Sequence, residues 1–494
     1  MRACTTFFAV LLLASAALAA ELPVPSAEFP GLETIQRTDL MKTVEYLASP
    51  RLQGRLAGGP GYMQAAREMA RRFRGLGLTP GGEDGFFQTL SVEYNEIDVC
   101  DLELIRPDGS TRSLALGSDF DCRGLTGSGE FTAPVVFVGY GLSQPEKGYD
   151  DYAGIDARGK IVLALKDAPP FKPDTTGWGK STLPRPKGRV AAAHGALAML
   201  LVSPPNRAHP QKPIGSMLEG EGEQDERFPS LQVDIPVAEE LVLATGLKLG
   251  DLQARIDSTR APHSCGLAAT ARVHVKAGYR PKQPSVNVVG VLRGSDPGLA
   301  GEYLVVGAHL DHVGSQAHDI YFPGANDNAS GAAAVLAVAG AFARGGARPK
   351  RSLIFALFTS EEAGLYGARH FVAHPPAPKE SLVAYINLDC VGHGDSIEVG
   401  GGKTSPRLWQ LVRDLDERGA RLMVEATWPG GGADAAPFAE AGIPTLYFAS
   451  KPSYTYLHLP SDTPATLNPP LLEAIARLVY RAAWRMAQDG YSKN

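Results

Sequence analysis

The stretch EYLVVGAHLDHV, residues 302–313, joins an apolar run directly to a polar cluster. Residues 303–308 are apolar or small, and His309 and Asp311 follow them at once. A continuous apolar run of this length is typical of a strand buried on both faces of a largely parallel sheet. Because ligands of open α/β sheets bind at the carboxyl ends of the strands, we expect His309 and Asp311 to lie at a functional crevice.

Three further apolar runs have the same character, at residues 352–359, 382–388 and 444–449. The Ala-rich segment 331–344 predicts a helix between the first strand and the second. This alternation of strands and helices predicts an α/β fold, with a mixed, largely parallel central sheet flanked by helices.

Acidic residues and a second histidine follow the remaining strands of this pattern. Asp327 lies in the loop GANDNASG that opens the Ala-rich helix, and Glu361 and Glu362 follow the second strand. Asp389 follows the third strand, and His458 comes a short loop after the fourth. Since the carboxyl ends of the strands share one edge of the sheet, we expect these side chains to converge.

This set of residue types suits two zinc ions. Each ion needs about three protein ligands and an open position for water, and one carboxylate can bridge a pair of ions ~3.5–4 Å apart. Water between two such ions becomes hydroxide near neutral pH. The candidate ligands are His309, Asp327, Glu362, Asp389 and His458.

Two more residues are candidates for catalytic roles. Glu361, beside the ligand Glu362, is within reach to act as the general base. Asp311 is expected to accept a hydrogen bond from His309 and so fix the tautomer of that imidazole. His312 is expected to be a structural residue and not a metal ligand.

Five motifs carry a resemblance to a known family: GAHLDHVG, GANDNASG, FTSEEAGLYG, NLDCVG and YLHLPSDTP, all within residues 302–463. They resemble the secreted bacterial and fungal di-zinc aminopeptidases, which share a superfamily with glutamate carboxypeptidase. The resemblance implies a zinc-peptidase fold, two Zn²⁺ ions, peptide substrates and Glu361 as the base.

The resemblance also distributes the ligands. It implies that His309 and either Glu362 or Asp389 hold separate zinc ions and that Asp327 bridges the two ions. It further implies that His458 completes the second site.

Two positions depart from the family pattern. The family commonly has a tyrosine directly before the last histidine, where its hydroxyl stabilises the oxyanion, but this chain has Leu457. Tyr456 and Tyr454 are the candidate replacements. Asp434 lies between two alanines where the family often has Ser-Asp-His, a change expected to alter the substrate pocket.

Residues 116–277 differ in texture, with short β-branched strands and dense proline and glycine. The sequences VVFVGYG, DDYAGIDARGKIVL and AAAHGALAMLLV in this segment resemble the protease-associated domain that many such enzymes carry as an insertion. The segment is therefore predicted to be an inserted β-rich domain that shapes or covers the cleft and helps set peptide length. Residues 21–115 and 278–494 would form the zinc peptidase domain.

The N-terminal residues 1–20 predict a secretory signal peptide, with Arg2, an apolar run, and Ala17-Leu18-Ala19 as a small-x-small cleavage pattern. The protein is therefore expected to be exported, to the periplasm or beyond the cell, with no transmembrane segment after signal removal. A net charge of −5 without a basic tail argues against nucleic acid as a partner.

The leading functional hypothesis is a zinc-dependent aminopeptidase. A carboxypeptidase or dipeptidase of the same superfamily is the first alternative, although no arginine cluster for a substrate carboxylate accompanies the motifs. An inactive, receptor-like binding protein on the same fold is the second alternative, and such proteins lose zinc ligands. The oligomeric state is left open.

Overall fold

A computed structural model describes residues 28–122, 124–214, 224–243, 245–488 and 491. The signal peptide predicted at residues 1–20 lies outside these ranges. Within them, none of the helices combines the length and the apolar character that crossing a membrane requires.

The strands are numbered along the chain. They are β1 (Thr79–Pro80), β2 (Phe87–Ile105), β3 (Thr111–Ser113), β4 (Phe120–Cys122), β5 (Gly129–Phe137), β6 (Ser143–Gln144), β7 (Tyr149–Asp150), β8 (Ile161–Leu165), β9 (Ala198–Val202), β10 (Ser230–Val233), β11 (Cys265–Leu292), β12 (Tyr303–His309), β13 (Ser352–Phe358), β14 (Leu382–Leu388), β15 (Ser396–Gly400) and β16 (Thr445–Lys451).

The α-helices are numbered in the same way. They are α1 (Arg37–Leu47), α2 (Pro60–Gly75), α3 (Pro184–Ala193), α4 (Ile235–Leu243), α5 (Leu249–Thr259), α6 (Gly331–Arg344), α7 (Tyr366–Ala373), α8 (Pro406–Glu417), α9 (Ala435–Glu440) and α10 (Pro469–Ala487).

One large sheet runs through the described chain in the order β15-β16-β14-β12-β13-β11-β5-β8-β9-β10-β4. Strand β12 is parallel to both of its neighbours, β13 and β14, and β14 is parallel to β16. Strands β11 and β15 flank this parallel part in antiparallel orientation. The predicted α/β fold with a mixed, largely parallel sheet is confirmed.

The apolar runs of the sequence are the central strands. Every residue of β12, β13 and β14 is buried, because helices cover both faces of this part of the sheet. Helix α6 connects β12 to β13 and packs against α10. These connections bring the carboxyl ends of four parallel strands to one edge of the sheet.

Strand β11 belongs to both halves of the molecule. It pairs with β5 through residues 265–275 and with β13 through residues 288–292. Strand β2 pairs with β11 along much of the length of β11. The β-rich half has its own core, to which Leu102 and Leu104 of β2 belong. These two leucines precede residue 116 and yet pack in the core of the insert, so the packing does not mark a boundary at 116. The domain boundaries at 116 and 277 remain a prediction.

Candidate metal centre

The site lies where the parallel strands end. His309 is the last residue of β12, Asp389 directly follows β14, and Glu362 lies in the turn after β13. Asp327 is in the loop before α6, and His458 is in the loop after β16. All five predicted ligands are buried, with side chains no more than 10% exposed, and they lie in one cluster.

Asp327 connects two groups of side chains through its two carboxylate oxygens. Its Oδ1 lies 3.2 Å from Nε2 of His309, whereas its Oδ2 lies 3.0 Å from Nε2 of His458. His309 Nε2 is also 3.3 Å from Oδ1 of Asp389, and His458 Nε2 is 3.0 Å from Oε2 of Glu362. The geometry thus groups His309 with Asp389 and His458 with Glu362, which the sequence had left open.

His312 also lies in this cluster, although the sequence predicted a structural role for it. Its side chain is fully buried, and its Nδ1 is 2.9 Å from Oε1 of Glu362 and 3.6 Å from Oδ2 of Asp327. The signal that could have revealed it is its place in the same motif, GAHLDHVG, as His309 and Asp311.

Asp311 contacts His309 differently from the prediction. The Nδ1–H of His309 donates to the backbone carbonyl of Asp311 at 3.1 Å, while the nearer carboxylate oxygen is 3.8 Å away. The carbonyl therefore fixes the tautomer that leaves Nε2 free for a metal. The Asp311 carboxylate instead accepts the backbone N–H groups of Glu361 at 3.2 Å and Glu362 at 3.4 Å, and so holds the turn that carries both glutamates.

Two further carboxyl groups adjoin the cluster. An oxygen of Glu361 lies within 4.8 Å of the nearest candidate donor atoms of His309 and Glu362. Burial raises the pKa of Glu361 well above its usual value, an effect that His309 opposes and neighbouring carboxylates reinforce. Asp434 is fully buried, and neither of its carboxylate oxygens has a hydrogen-bond partner among the described residues. Burial likewise raises the pKa of Asp434.

Arg55 supports the site, and its contribution was not predicted. Its fully buried guanidinium donates hydrogen bonds to the backbone carbonyls of Leu310 and Gly324, which belong to two metal-bearing loops. It also donates to the carbonyls of Leu47 and Pro323. The glycine-rich sequence around Arg55 does not predict this role, because most of the carbonyl groups that Arg55 binds are distant in sequence.

Asp462 holds the loop of the bridging carboxylate. Its side chain accepts the backbone N–H groups of Asn326 at 2.9 Å and Asp327 at 3.1 Å. The motif YLHLPSDTP contains this aspartate, so the sequence did carry a signal for it.

Two tyrosines, Tyr447 and Tyr454, flank the Asp389 side of the site. The Tyr447 hydroxyl donates to Oδ2 of Asp389 at 2.7 Å. Tyr454 is 62% exposed; partial burial and the nearby Asp389 raise the pKa of its hydroxyl, while a side-chain hydrogen bond with Tyr447 lowers it. Tyr456 instead packs its ring edgewise against His393, with the ring centroids 5.1 Å apart. Of the two candidate oxyanion donors, Tyr454 is therefore the one beside the cluster.

The chemistry of this donor set fits divalent cations. Ligand atoms around a tetrahedral zinc ion lie about 3.3–3.6 Å apart, given bonds of about 2.0–2.2 Å, and the separations above are of that size. The carboxylates raise the pKa of His309 and His458 well above the usual value, although burial by itself lowers it. Such an excess of buried carboxylates needs compensating positive charge, which bound cations would provide.

Comparison with known protein families agrees with this geometry. Residues 287–483 match the model of Peptidase family M28, and residues 131–241 match that of the PA domain. The region that matches the PA domain lies within the predicted insert, which confirms the resemblance to peptidases with an inserted protease-associated domain.

Curated relatives include a leupeptin-inactivating enzyme and a probable glutamate carboxypeptidase. Leupeptin-inactivating enzyme 1 of Streptomyces exfoliatus is 34% identical over 181 residues, covering 34% of this chain and 36% of that protein. The probable glutamate carboxypeptidase VP8 of Zea mays is 28% identical over 472 residues, covering 83% of the chain and 60% of that protein. The chain thus spans less than two thirds of the length of these relatives.

Solved structures share the fold. The aminopeptidase from Aneurinibacillus sp. strain AM-1 aligns with a TM-score of 0.61 at 22% identity, over 94% of this chain and 96% of that one. A Peptidase M28 precursor from Shewanella amazonensis SB2B aligns with a TM-score of 0.66 at 20% identity, over the same shares. These neighbours extend the likeness across both halves of the molecule.

Proposed function

We propose that this protein is an exported di-zinc aminopeptidase that removes N-terminal residues from peptides. The observation that carries the proposal is the division of the Asp327 oxygens between His309 and His458, which is the arrangement a bridging carboxylate requires. The family match and the aminopeptidases among the relatives and structural neighbours support it. Export rests on the signal sequence at residues 1–20.

The bound ions would supply Lewis-acid activation of water and of the scissile carbonyl. The proton chemistry belongs to Glu361. Its buried carboxylate, with a raised pKa, takes the proton of the attacking water and passes it to the departing amine. The other carboxylates of the crevice would give it the negative character that suits a substrate's free α-amino group.

The decisive variant is Glu361→Gln, which keeps the size of the side chain and removes its basicity. We expect kcat to fall at least ~100-fold, as for a lost general base, while the zinc content stays at two ions per chain. Glu440→Gln, on the exposed helix end of the same domain, is the matched control and should be unchanged. Unaltered kcat in Glu361→Gln would rule out the role of Glu361 as the base.

Metal analysis of the purified protein tests the two-zinc site itself. We expect two zinc ions per chain and loss of activity on chelation. A protein without bound zinc would instead favour the inactive, receptor-like alternative.

A carboxypeptidase remains the second candidate, because the glutamate carboxypeptidase relative matches 83% of the chain. Paired peptides separate the two functions: one has a free amine and a blocked carboxyl end, and the other has the reverse. An aminopeptidase cleaves the first peptide and spares the second. Preference for the N-blocked peptide would contradict the proposal.

We further propose that the insert shapes one wall of the cleft. Gln316, four residues after His312, exchanges hydrogen bonds with the backbone N–H and carbonyl of Cys122 in β4, at 3.2 Å and 3.0 Å. A Cβ atom at Gly117 of the insert would lie 3.0 Å from Ile320 and 3.7 Å from Pro460. The insert thus contacts the loop that follows His312, and Gly117 lies close to the loop that carries His458.

The variant Gln316→Ala tests this coupling in the full chain. Because it removes both hydrogen bonds to Cys122, we expect KM to rise for tetrapeptides more than for single aminoacyl chromogenic substrates. Equal KM changes for short and long substrates would argue against a role of the insert in selecting peptide length.

A further inference from the structure

His312 occupies a position that the two-ion scheme with five ligands leaves unexplained. It is fully buried, and its backbone N–H donates to the carbonyl of Arg55 at 3.2 Å. The ring directs Nδ1 toward Glu362 and Asp327, while Nε2 has no hydrogen-bond partner among the described residues. The polar contacts of this buried imidazole within the described chain are therefore all made by Nδ1. The role of His312 depends on what Nδ1 binds between Glu362 and Asp327.

One donor atom from each of four residues around this edge lies within 4.8 Å of the other three. Nδ1 of His312 is 2.9 Å from Oε1 of Glu362 and 3.6 Å from Oδ2 of Asp327. On the other side, Nε2 of His458 is 3.0 Å from Oδ2 of Asp327 and 3.0 Å from Oε2 of Glu362. Glu362 faces His312 with Oε1 and His458 with Oε2, and the four separations, 2.9–3.6 Å, lie at or somewhat below the edge of a zinc tetrahedron, about 3.3–3.6 Å. The four residues offer two nitrogens and two carboxylates to one point.

The second group of donors is smaller. His309 Nε2 is 3.2 Å from Oδ1 of Asp327 and 3.3 Å from Oδ1 of Asp389, and the group of these three residues contains no second histidine. A zinc ion with four protein ligands is typical of a closed, tightly held site, whereas one with three ligands keeps a position open for water or substrate.

We infer that His312 is a fourth protein ligand, through Nδ1, of the ion held by Asp327, Glu362 and His458. The inference rests on the proposed two-zinc function. It would make the two sites unequal: His312, Asp327, Glu362 and His458 would hold zinc with four protein ligands and bind it first, whereas His309, Asp327 and Asp389 offer three.

The competing role for His312 is a hydrogen bond from Nδ1–H to Glu362 without metal contact. The two roles predict different spectra. At one equivalent of Zn²⁺ added to metal-free protein, X-ray absorption should count two imidazoles per ion if His312 is a ligand and one if it only orients Glu362.

The first experiment compares wild type with His312→Ala in a zinc titration followed by X-ray absorption and calorimetry. We expect the variant to bind the first equivalent at least ~100-fold more weakly and to show one imidazole instead of two, because a direct ligand is lost. The affinity for the second equivalent should change little. His393→Ala is the matched control, because His393 is a partly buried histidine whose Nδ1–H donates to the carbonyl of Thr466.

A second variant covers the case in which His312→Ala does not fold. In His312→Cys the sulfur takes a place near that of Nδ1, so a metal there would be bound by thiolate. With Co²⁺ in place of zinc, we expect a thiolate-to-cobalt charge-transfer band that wild type and His393→Cys lack.

The outcomes separate this inference from the proposed function. If wild type binds two zinc ions but His312→Ala keeps the affinity and imidazole count, and His312→Cys shows no new band, His312 is not a ligand and the aminopeptidase proposal stands. If wild type binds fewer than two zinc ions, the two-zinc proposal fails and this inference fails with it.

Discussion

The hydroxyl of Tyr447 donates a 2.7 Å hydrogen bond to Oδ2 of Asp389, whose other oxygen lies 3.3 Å from Nε2 of His309. Oδ2 of Asp389 therefore accepts a hydrogen bond within the protein, and Oδ1 faces the candidate metal site. Tyr447 lies on β16 and Asp389 directly follows the adjacent strand β14, so the pairing of two strands sets this contact. Outer hydrogen bonds of this kind orient a metal ligand.

The variant Tyr447→Phe should weaken zinc binding at the His309–Asp389 pair by about 10–100-fold, the usual effect of losing such a partner. Competition with a chelator of known affinity measures it. Tyr385→Phe is the matched control, because the buried Tyr385 on β14 donates to Asn387 and not to a candidate ligand. Equal zinc affinity in both variants would show that Asp389 needs no orienting partner.

Arg55 should be essential both for the stability of the fold and for the conformation of the loops that carry the candidate metal ligands. Arg55→Met leaves its backbone carbonyl partners without a donor in a buried region. We expect the free energy of unfolding to fall by about 3–5 kcal/mol, measured by denaturant titration, and zinc to be retained less well. The exposed Arg51 on the same segment gives the control, Arg51→Met. A loss below 1 kcal/mol, roughly the value of a single neutral hydrogen bond, would contradict this assignment.

Tyr454, and not Tyr456, should stabilise the developing oxyanion. Tyr454→Phe is expected to lower kcat ~100-fold or more, the scale of one lost oxyanion donor, with zinc content unchanged. Tyr456→Phe should stay close to wild type, because that ring packs against His393. Steady-state kinetics of the two variants decides between them, and the reverse order of effects would assign the role to Tyr456.

The free energy of unfolding of the insert should depend on pH through the titration of Asp151. This carboxylate accepts hydrogen bonds from the backbone N–H groups of Tyr140 and Leu142 and from the Tyr149 hydroxyl, yet burial raises its pKa to about 7. Because the pKa of Asp151 is higher in the folded state than in the unfolded chain, protonated Asp151 favours the folded state. This contribution to stability is present in full below the pKa of the unfolded chain, near pH 4, and is lost as pH rises through 7.

The variant Asp151→Asn removes this titration with little change of shape, since the Tyr149 hydroxyl can accept from the new amide. Between pH 5.5 and 8 we expect wild type to lose stability relative to Asp151→Asn, by up to about 4 kcal/mol over the full titration. Hydrogen exchange of the strand Ile161–Leu165, corrected for intrinsic rates, reports on the insert. The exposed Asp156 provides the control, Asp156→Asn. A parallel pH profile for wild type and Asp151→Asn would contradict the prediction.

Local pattern was sufficient to predict the sheet and the residues at its edge. Continuous apolar runs can be buried on both faces only in a covered, largely parallel sheet, and β12, β13 and β14 are such strands. The order of the motifs was sufficient to predict a resemblance to zinc peptidases, and residues 287–483 match the model of Peptidase family M28. The roles of the individual site residues remain predictions.

The tertiary structure alone decided which side chains face each other. It grouped His309 with Asp389 and His458 with Glu362, brought His312 to Glu362, and gave the His309 hydrogen bond to a carbonyl of Asp311. The physical reason is that sequence spacing places a residue at the end of a strand, whereas contact distances depend on loop conformations. Those loops are set by distant groups such as Arg55 and Asp462, whose partners lie between 8 and 269 residues away along the chain.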